Sequence, residues 1–301
     1  IELLVPAGNM RLRPTHATRE VAPGDAVTLA WANTPDNPTL QFTEWWFDGA
    51  DADLDQVMLR VTPPHPGATT TAVDLGLPSA CVNLLRGTDV VGRLIHHRRV
   101  PQGDAGRLVL MGVHPTDPDF GAGVAPYGRW SVTIANGGNA PIRVHGWIER
   151  DDPVFGTGHG PRQAVFATGL APAEDPDAQT GLPREDLRTT LNSLGHGALT
   201  RVVGAQETDG RVAFYSGEEP GRAGGGARPG SLILARADDS GARQGAVASG
   251  VTAGARIRLP GTSVATALAT RFAAARGPGW TTDLLVPRPE AAPRAAHDRV
   301  P

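Results

Sequence analysis

A chain of 301 residues with 40% apolar side chains and a formal net charge of -3 is long enough to bury one large core or two of ordinary size. No run approaches the roughly 18 consecutive apolar residues that cross a bilayer, and the charge balance offers no footprint for nucleic acid, so neither membrane nor polynucleotide is an expected partner. The single Cys81 excludes an internal disulfide framework and a cysteine-rich zinc site, and it leaves the compartment undetermined.

The chain enters directly on Ile1-Glu2-Leu3-Leu4-Val5, without an initiator methionine or a leader, and is read as a piece of a longer protein. Residues 1 to 9 are expected to form a short buried strand that Pro6 and Gly8 stop in a tight Pro-Ala-Gly-Asn turn. From about residue 18 the pattern has period two. Val27, Leu29 and Trp31 alternate with Thr28 and Ala30; Val57, Leu59 and Val61 with Met58 and Arg60; Trp130, Val132 and Ile134 with Ser131 and Thr133. Asn136-Gly137-Gly138-Asn139 reads as a hairpin connection with positive-φ residues leading into Ile142-Arg143-Val144-His145. Trp31, Trp45, Trp46, Trp130 and Trp147 all fall in this block, which predicts an all-β sandwich with its own core over 18–152.

Residues 153–188 are rich in Gly, Pro, Asp and Ala and read as an exposed connection. Order returns over 189–276. Thr200 to Ala205 and Leu232-Ile233-Leu234 are brief apolar runs bounded by glycine, as buried strands of an α/β sheet are. Residues 221–230 form a glycine-rich loop that lacks the Gly-Lys-Ser/Thr ending needed to cradle phosphate. Val264 to Arg276 is alanine-rich without Gly or Pro and predicts a helix. The proline-bearing tail 277–301 is expected to be loose.

Gly261-Thr262-Ser263 stands directly before that helix. This location puts the serine hydroxyl and N–H at a helix N-terminus, where orphan N–H groups and the macrodipole favour negative charge. Gly245 to Thr252 followed by Ile257 to Ala265 resembles the nucleophile block of subtilases, the subtilisin-like serine peptidases. Val5-Pro6-Ala7-Gly8-Asn9 resembles the subtilase strand that ends in Ala-Gly-Asn, and Leu199 to Ala205 a later core strand, all three in the family's order. The resemblance covers residues 1 to 10 and about 189 to 276. The segments Trp130 to Ile134 and Trp147 to Asp152 are similar to the sandwich inserted in a bacterial subtilase subgroup.

The resemblance implies an α/β fold with a partial three-layer, parallel-sheet core: strand and turn at 1–17, an inserted sandwich at 18–152, the core with its serine at 189–276. It implies a serine endopeptidase acting on peptide or protein substrates. Ser263 would be the nucleophile, the Asn9 side-chain amide an oxyanion donor, and Ala7 and Gly8 the border of the pocket for the residue preceding the cleaved bond. No cofactor is implied, and no motif specifies calcium. The residues leave the compartment unknown, and the family resemblance alone points to a secreted or extracytoplasmic protein.

The departure from the family is the missing Asp and His of the triad, which lie upstream of the asparagine strand in subtilases. Only eight residues precede Asn9 and none is Asp or His, so an upstream segment of the same protein is an expected partner and this chain alone is expected to be nearly inactive. Ala267 stands where the family has proline in the first helical turn. His196 reads as a glycine-flanked loop residue, and His96, His97, Arg98 and Arg99 as a solvated basic edge on which neighbouring histidines point to opposite faces. Asp51, Asp53 and Asp55 lack the glycine and terminal glutamate of an EF-hand loop and read as a solvated acidic turn. The competing function is a non-catalytic binding protein that uses its aromatic-rich sandwich on an inactive subtilase scaffold.

Overall fold

A computed structural model describes residues 3–64, 69–99, 106–120, 123–152, 160–166, 190, 193–196, 200–217 and 232–276. The chain divides into two compact units. One comprises Ile1–Leu12, Arg188–Gly221 and Gly225–Pro301, the other Arg13–Leu187 with Arg222–Gly224. The glycine-rich 221–230 loop and the 277–301 tail lie outside the described residues, as does most of the 153–188 connection.

β1 (Leu3–Pro6) opens the chain. The second unit then runs through β2 (His16–Val21), β3 (Ala26–Asn33), β4 (Gln41–Asp48), the short α1 (Asp51–Leu54), β5 (Val57–Thr62) and β6 (Thr71–Asp74). It continues with β7 (Ala80–Arg86), β8 (Asp89–His97), β9 (Arg107–Val113), β10 (Gly128–Asn136), β11 (Ile142–Ile148) and β12 (Val165–Phe166). These form two antiparallel sheets, ordered β12-β3-β10-β5-β6 and β2-β11-β4-β9-β8-β7.

Their inward side chains make one apolar cluster that includes Trp31, Trp45, Trp130, Phe47 and Phe166. The period-two pattern sends alternate side chains into this core. Trp31 and Trp130 oppose each other across β3 and β10 and stack with ring centroids 5.6 Å apart, a cross-strand pair that fixes register. Gly146 on β11 faces Trp45; a Cβ there would lie 2.8 Å from the Trp45 ring and 3.0 Å from that of Phe166, so the ring occupies the space a side chain would need.

Three expectations are corrected in this unit. Residues 136–139 do not connect a hairpin, because β10 and β11 belong to different sheets, and none of the four has positive φ. The Asn136 side chain directs the change of sheet: its Nδ2 donates to the Val21 and Ala140 carbonyls, both at 2.9 Å, and its Oδ1 accepts from the Gly138 N–H. The basic edge is not one either. β8 lies between β7 and β9, His96 is 1% exposed, and half-buried Arg98 donates to Asp55 at 2.8 Å, although His96 and His97 do differ in burial as neighbours on a strand should. Nor is 51–55 simply a solvated acidic turn. Asp53 Oδ1 accepts the Asn139 and Ala140 N–H groups, and Asp55 pairs with Arg98 and with fully buried Arg107.

The first unit resumes with β13 (Thr200–Glu207) and β14 (Leu232–Asp238), which with β1 make a parallel sheet ordered β1-β13-β14. A hairpin follows, β15 (Ala246–Ser249) with β16 (Arg256–Leu259), and then α2 (Thr262–Arg276). Helix α2 packs on all three parallel strands, and its Ala265 and Ala269, four apart and therefore on one face, are fully buried against Val203, Ala205, Ile233 and Ala235. Small residues here let helix and sheet approach closely.

A short 3-10 turn, Ser193–His196, adjoins β1 and β13. Among the described residues α2 is the one α-helix packed on this sheet, so the described part of the core is the sheet and one helical layer. β1 is also less buried than expected. It is an edge strand of the described sheet, with Leu3 54% exposed and only Val5 buried. Among the described residues no helix is long and apolar enough to cross a membrane.

Candidate functional site

The end of β1 and the start of α2 meet within the first unit. Parallel pairing of β1 with β13 fixes where the turn after Pro6 begins, and the Ala7 N–H continues the ladder to Val203 O at 2.9 Å. Gly8 then turns the chain at φ +103, a region that side-chain-bearing residues rarely adopt, and its carbonyl accepts the Gly217 N–H at 2.9 Å. Asn9 leaves this turn facing the helix.

Asn9 Oδ1 accepts two hydrogen bonds, from the Thr262 N–H at 2.9 Å and from the Thr262 hydroxyl at 3.0 Å. The same hydroxyl accepts the Gly8 N–H at 3.1 Å. The asparagine therefore caps α2 from a remote segment and satisfies one of the first-turn N–H groups that a helix cannot satisfy itself. Two donors at Thr262 require the oxygen of the amide on that side, so Nδ2 is turned away from Thr262. Among the described residues Nδ2 has no acceptor. It lies 3.2 Å from where a Cβ on Gly261 would be, and Gly261 itself has φ +121, so both space and backbone conformation require glycine at that position.

Val264 and Ala265 both donate their N–H groups to the Gly261 carbonyl, at 3.0 and 3.2 Å. Ser263 is exposed, and among the described residues neither its N–H nor its hydroxyl has a partner. The outcome is a helix N-terminus with one free backbone N–H, one free side-chain amide approaching from β1, and an exposed hydroxyl. Such a set can donate hydrogen bonds to an oxygen that carries negative charge.

The structure thus brings Asn9 to the residue adjoining Ser263. Ala7 is completely buried and offers no surface of its own, whereas Gly8 is half-buried. His196 falls in the 3-10 turn Ser193–His196. A cleft of about 710 Å³ lies along the β15–β16 turn, lined by Val247 to Arg256; neither Asn9 nor Ser263 borders it. Among the described residues no three His, Cys, Asp or Glu side chains converge as metal ligands do.

Tyr215 and Asp238 were not foreseen from the sequence. The Tyr215 hydroxyl accepts the Gly261 N–H at 2.9 Å and donates to Asp238 Oδ2 at 2.7 Å. Burial, followed by the hydrogen bond to Asp238, holds this phenol above its ordinary pKa, so it stays protonated and keeps its donor. The available signal was scarcity, since only two tyrosines occur in the chain. In the second unit, Trp31, Trp45 and Trp130 are fully buried, while half-buried Trp147 stacks on His145 and His16.

The chain is similar in fold to the solved structure of the Clostridium perfringens CspB protease, with a TM-score of 0.53 and 15% sequence identity over 88% of this chain and 46% of that one. It thus spans about half the length of that protein. No protein-family model matches the sequence, and no curated protein matches it.

Proposed function

We propose that this chain is the C-terminal part of a subtilisin-like serine endopeptidase and supplies the nucleophile and the oxyanion donors. The observation that carries this reading is the Asn9–Thr262 contact. It commits the amide oxygen to the helix and leaves Nδ2, the Ser263 N–H and the Ser263 hydroxyl available together. Three ordered sequence blocks resembling subtilases and the fold likeness to a protease agree with it.

In the proposed reaction Ser263 Oγ attacks the scissile carbonyl carbon while its proton passes to a histidine base supplied by an upstream segment and oriented there by an aspartate. The tetrahedral oxyanion is held by Asn9 Nδ2 and the Ser263 N–H. The C–N bond then breaks, the leaving amine takes the proton from the base, and water releases the acyl group from Ser263 by the same path in reverse order. Half-buried Gly8 contributes by lacking a side chain, which lets a substrate backbone approach the turn. The chain without the upstream base holds the oxyanion donors but cannot deprotonate its serine efficiently.

Peptide hydrolysis tests this directly. A protein in which the upstream segment precedes Ile1 should cleave unfolded protein substrates, and Ser263→Ala should abolish the cleavage while leaving the fold intact. Cleavage that persists in Ser263→Ala would overturn the assignment.

A further inference from the structure

The hairpin β15–β16 carries the chain from the sheet to the start of α2, and both of its ends are held by the same pair of side chains. At the entry, the Gly245 N–H donates to Asp238 Oδ1 at 2.6 Å. At the exit, the Gly261 N–H donates to the Tyr215 hydroxyl at 2.9 Å, which in turn donates to Asp238 Oδ2 at 2.7 Å. Asp238 is 2% exposed and Tyr215 8% exposed, so all three bonds lie away from competing water.

Both glycines have positive φ, +88 at Gly245 and +121 at Gly261, and neither conformation is secured by the glycine itself, which has the widest choice of backbone angles. Something else must select it. Arg258 adds a second tie at the entry, donating to the Gly245 carbonyl at 2.7 Å and pairing with Asp239 at 2.9 Å. At the exit two adjoining peptides are held: the 260–261 peptide by Tyr215 through the Gly261 N–H, and the 261–262 peptide by Val264 and Ala265 on the Gly261 carbonyl and by Asn9 on the Thr262 N–H.

We infer that Tyr215, backed by Asp238, is a positioning residue that sets the Gly261 peptide and so aims the N–H and hydroxyl of Ser263. The inference rests on the serine peptidase reading for its chemical consequence. Tyr215 touches no reacting atom. It acts through Gly261, two residues before the serine, and the hydroxyl is suited to the task because one oxygen can accept from an amide while donating to a carboxylate. Asp238 supplies rigidity: with Oδ1 fixed on Gly245, Oδ2 has a defined place, and the phenol follows it.

The test uses the protein with its upstream segment and the variants Tyr215→Phe, which keeps the ring, and Asp238→Asn, which keeps the size. Two readouts are taken: amide exchange of the peptide spanning 245–263, and the rate at which a fluorophosphonate modifies Ser263, resolved into apparent probe affinity and maximal rate. Tyr215→Phe is expected to speed exchange in 245–263 and to lower the maximal rate by about 100-fold, with probe affinity little changed, because misplacing a reacting group costs rate at a fixed level of binding. Asp238→Asn should do the same more weakly, and it carries the test if Tyr215→Phe does not fold. Unchanged exchange in the variants overturns the inference, and so does faster exchange with an unchanged maximal rate. A wild-type protein that is never modified at Ser263 overturns the peptidase reading instead; faster exchange in Tyr215→Phe then still supports the clamp on Gly261.

Discussion

Asn9 Oδ1 and the Thr262 N–H, 253 positions apart in the chain, are joined by a hydrogen bond of 2.9 Å, and the Thr262 hydroxyl binds the same oxygen at 3.0 Å. One amide thereby has two separable jobs, since its oxygen caps a helix and its nitrogen remains a donor. Aspartate keeps the first and loses the second.

Asn9→Asp should therefore fold with a stability close to that of the parent, because a carboxylate at a helix N-terminus is a good cap. Its peptide hydrolysis should fall by about 100- to 1,000-fold in kcat, the size such a donor has in subtilisin. Asn9→Ala should lose the rate and also about 1 kcal/mol of stability, the usual cost of a removed cap. Urea titration alongside kcat separates the two. Equal stability losses in both variants would contradict the division of roles between oxygen and nitrogen.

Gly146→Ala should destabilise the sandwich by about 1–3 kcal/mol, the usual cost of overpacking a core. Its new methyl would stand 2.8 Å from the Trp45 ring, in contact with a side chain that is itself fully buried. Gly160→Ala is the control. Among the described residues nothing lies within 4 Å of its added carbon, and a change within about 0.5 kcal/mol is expected. Denaturant midpoints for the two variants check both.

Burial, followed by the charge of Arg107, lowers the His96 pKa below the 6.5 of an ordinary histidine. The sign follows from linkage. The unfolded chain protonates His96 near 6.5 while the folded chain resists, so this contribution to stability is fully present above that pH and is lost as pH falls from 6.5 to the lower folded value. His96→Gln should flatten that part of the stability profile relative to the parent. Unfolding free energies measured between pH 8 and pH 5, in about half-unit steps, decide it. A parent profile that does not fall below pH 6.5 more steeply than the variant would contradict the assignment.

Much of the local structure was legible because local chemistry determines it. Alternation at Val27, Leu29 and Trp31 marks a strand wherever one sheet face is buried, and the run of alanines after Ser263 has high helix propensity regardless of its neighbours. Partnership was not legible. Asn136 to Asn139 announce a reversal, yet whether the returning strand joins the same sheet or the facing one depends on Val21 and Asp53, distant in sequence. His96 beside two arginines looks like a solvated edge until β8 is known to lie between β7 and β9. Asn9 and Ser263 could be paired beforehand only through resemblance to a family, whereas Tyr215 and Asp238, 23 residues apart and outside every matched block, could not be paired at all.

The central claim is that Ser263 is a nucleophile once a base is supplied. The most direct measurement is to treat the protein that includes its upstream segment with a fluorophosphonate and to locate the adduct by peptide mass spectrometry. A single adduct on the peptide containing Ser263, absent in Ser263→Ala and strongly slowed in Asn9→Asp, is the expected result. No adduct in the folded protein, or one that persists in Ser263→Ala, would contradict it.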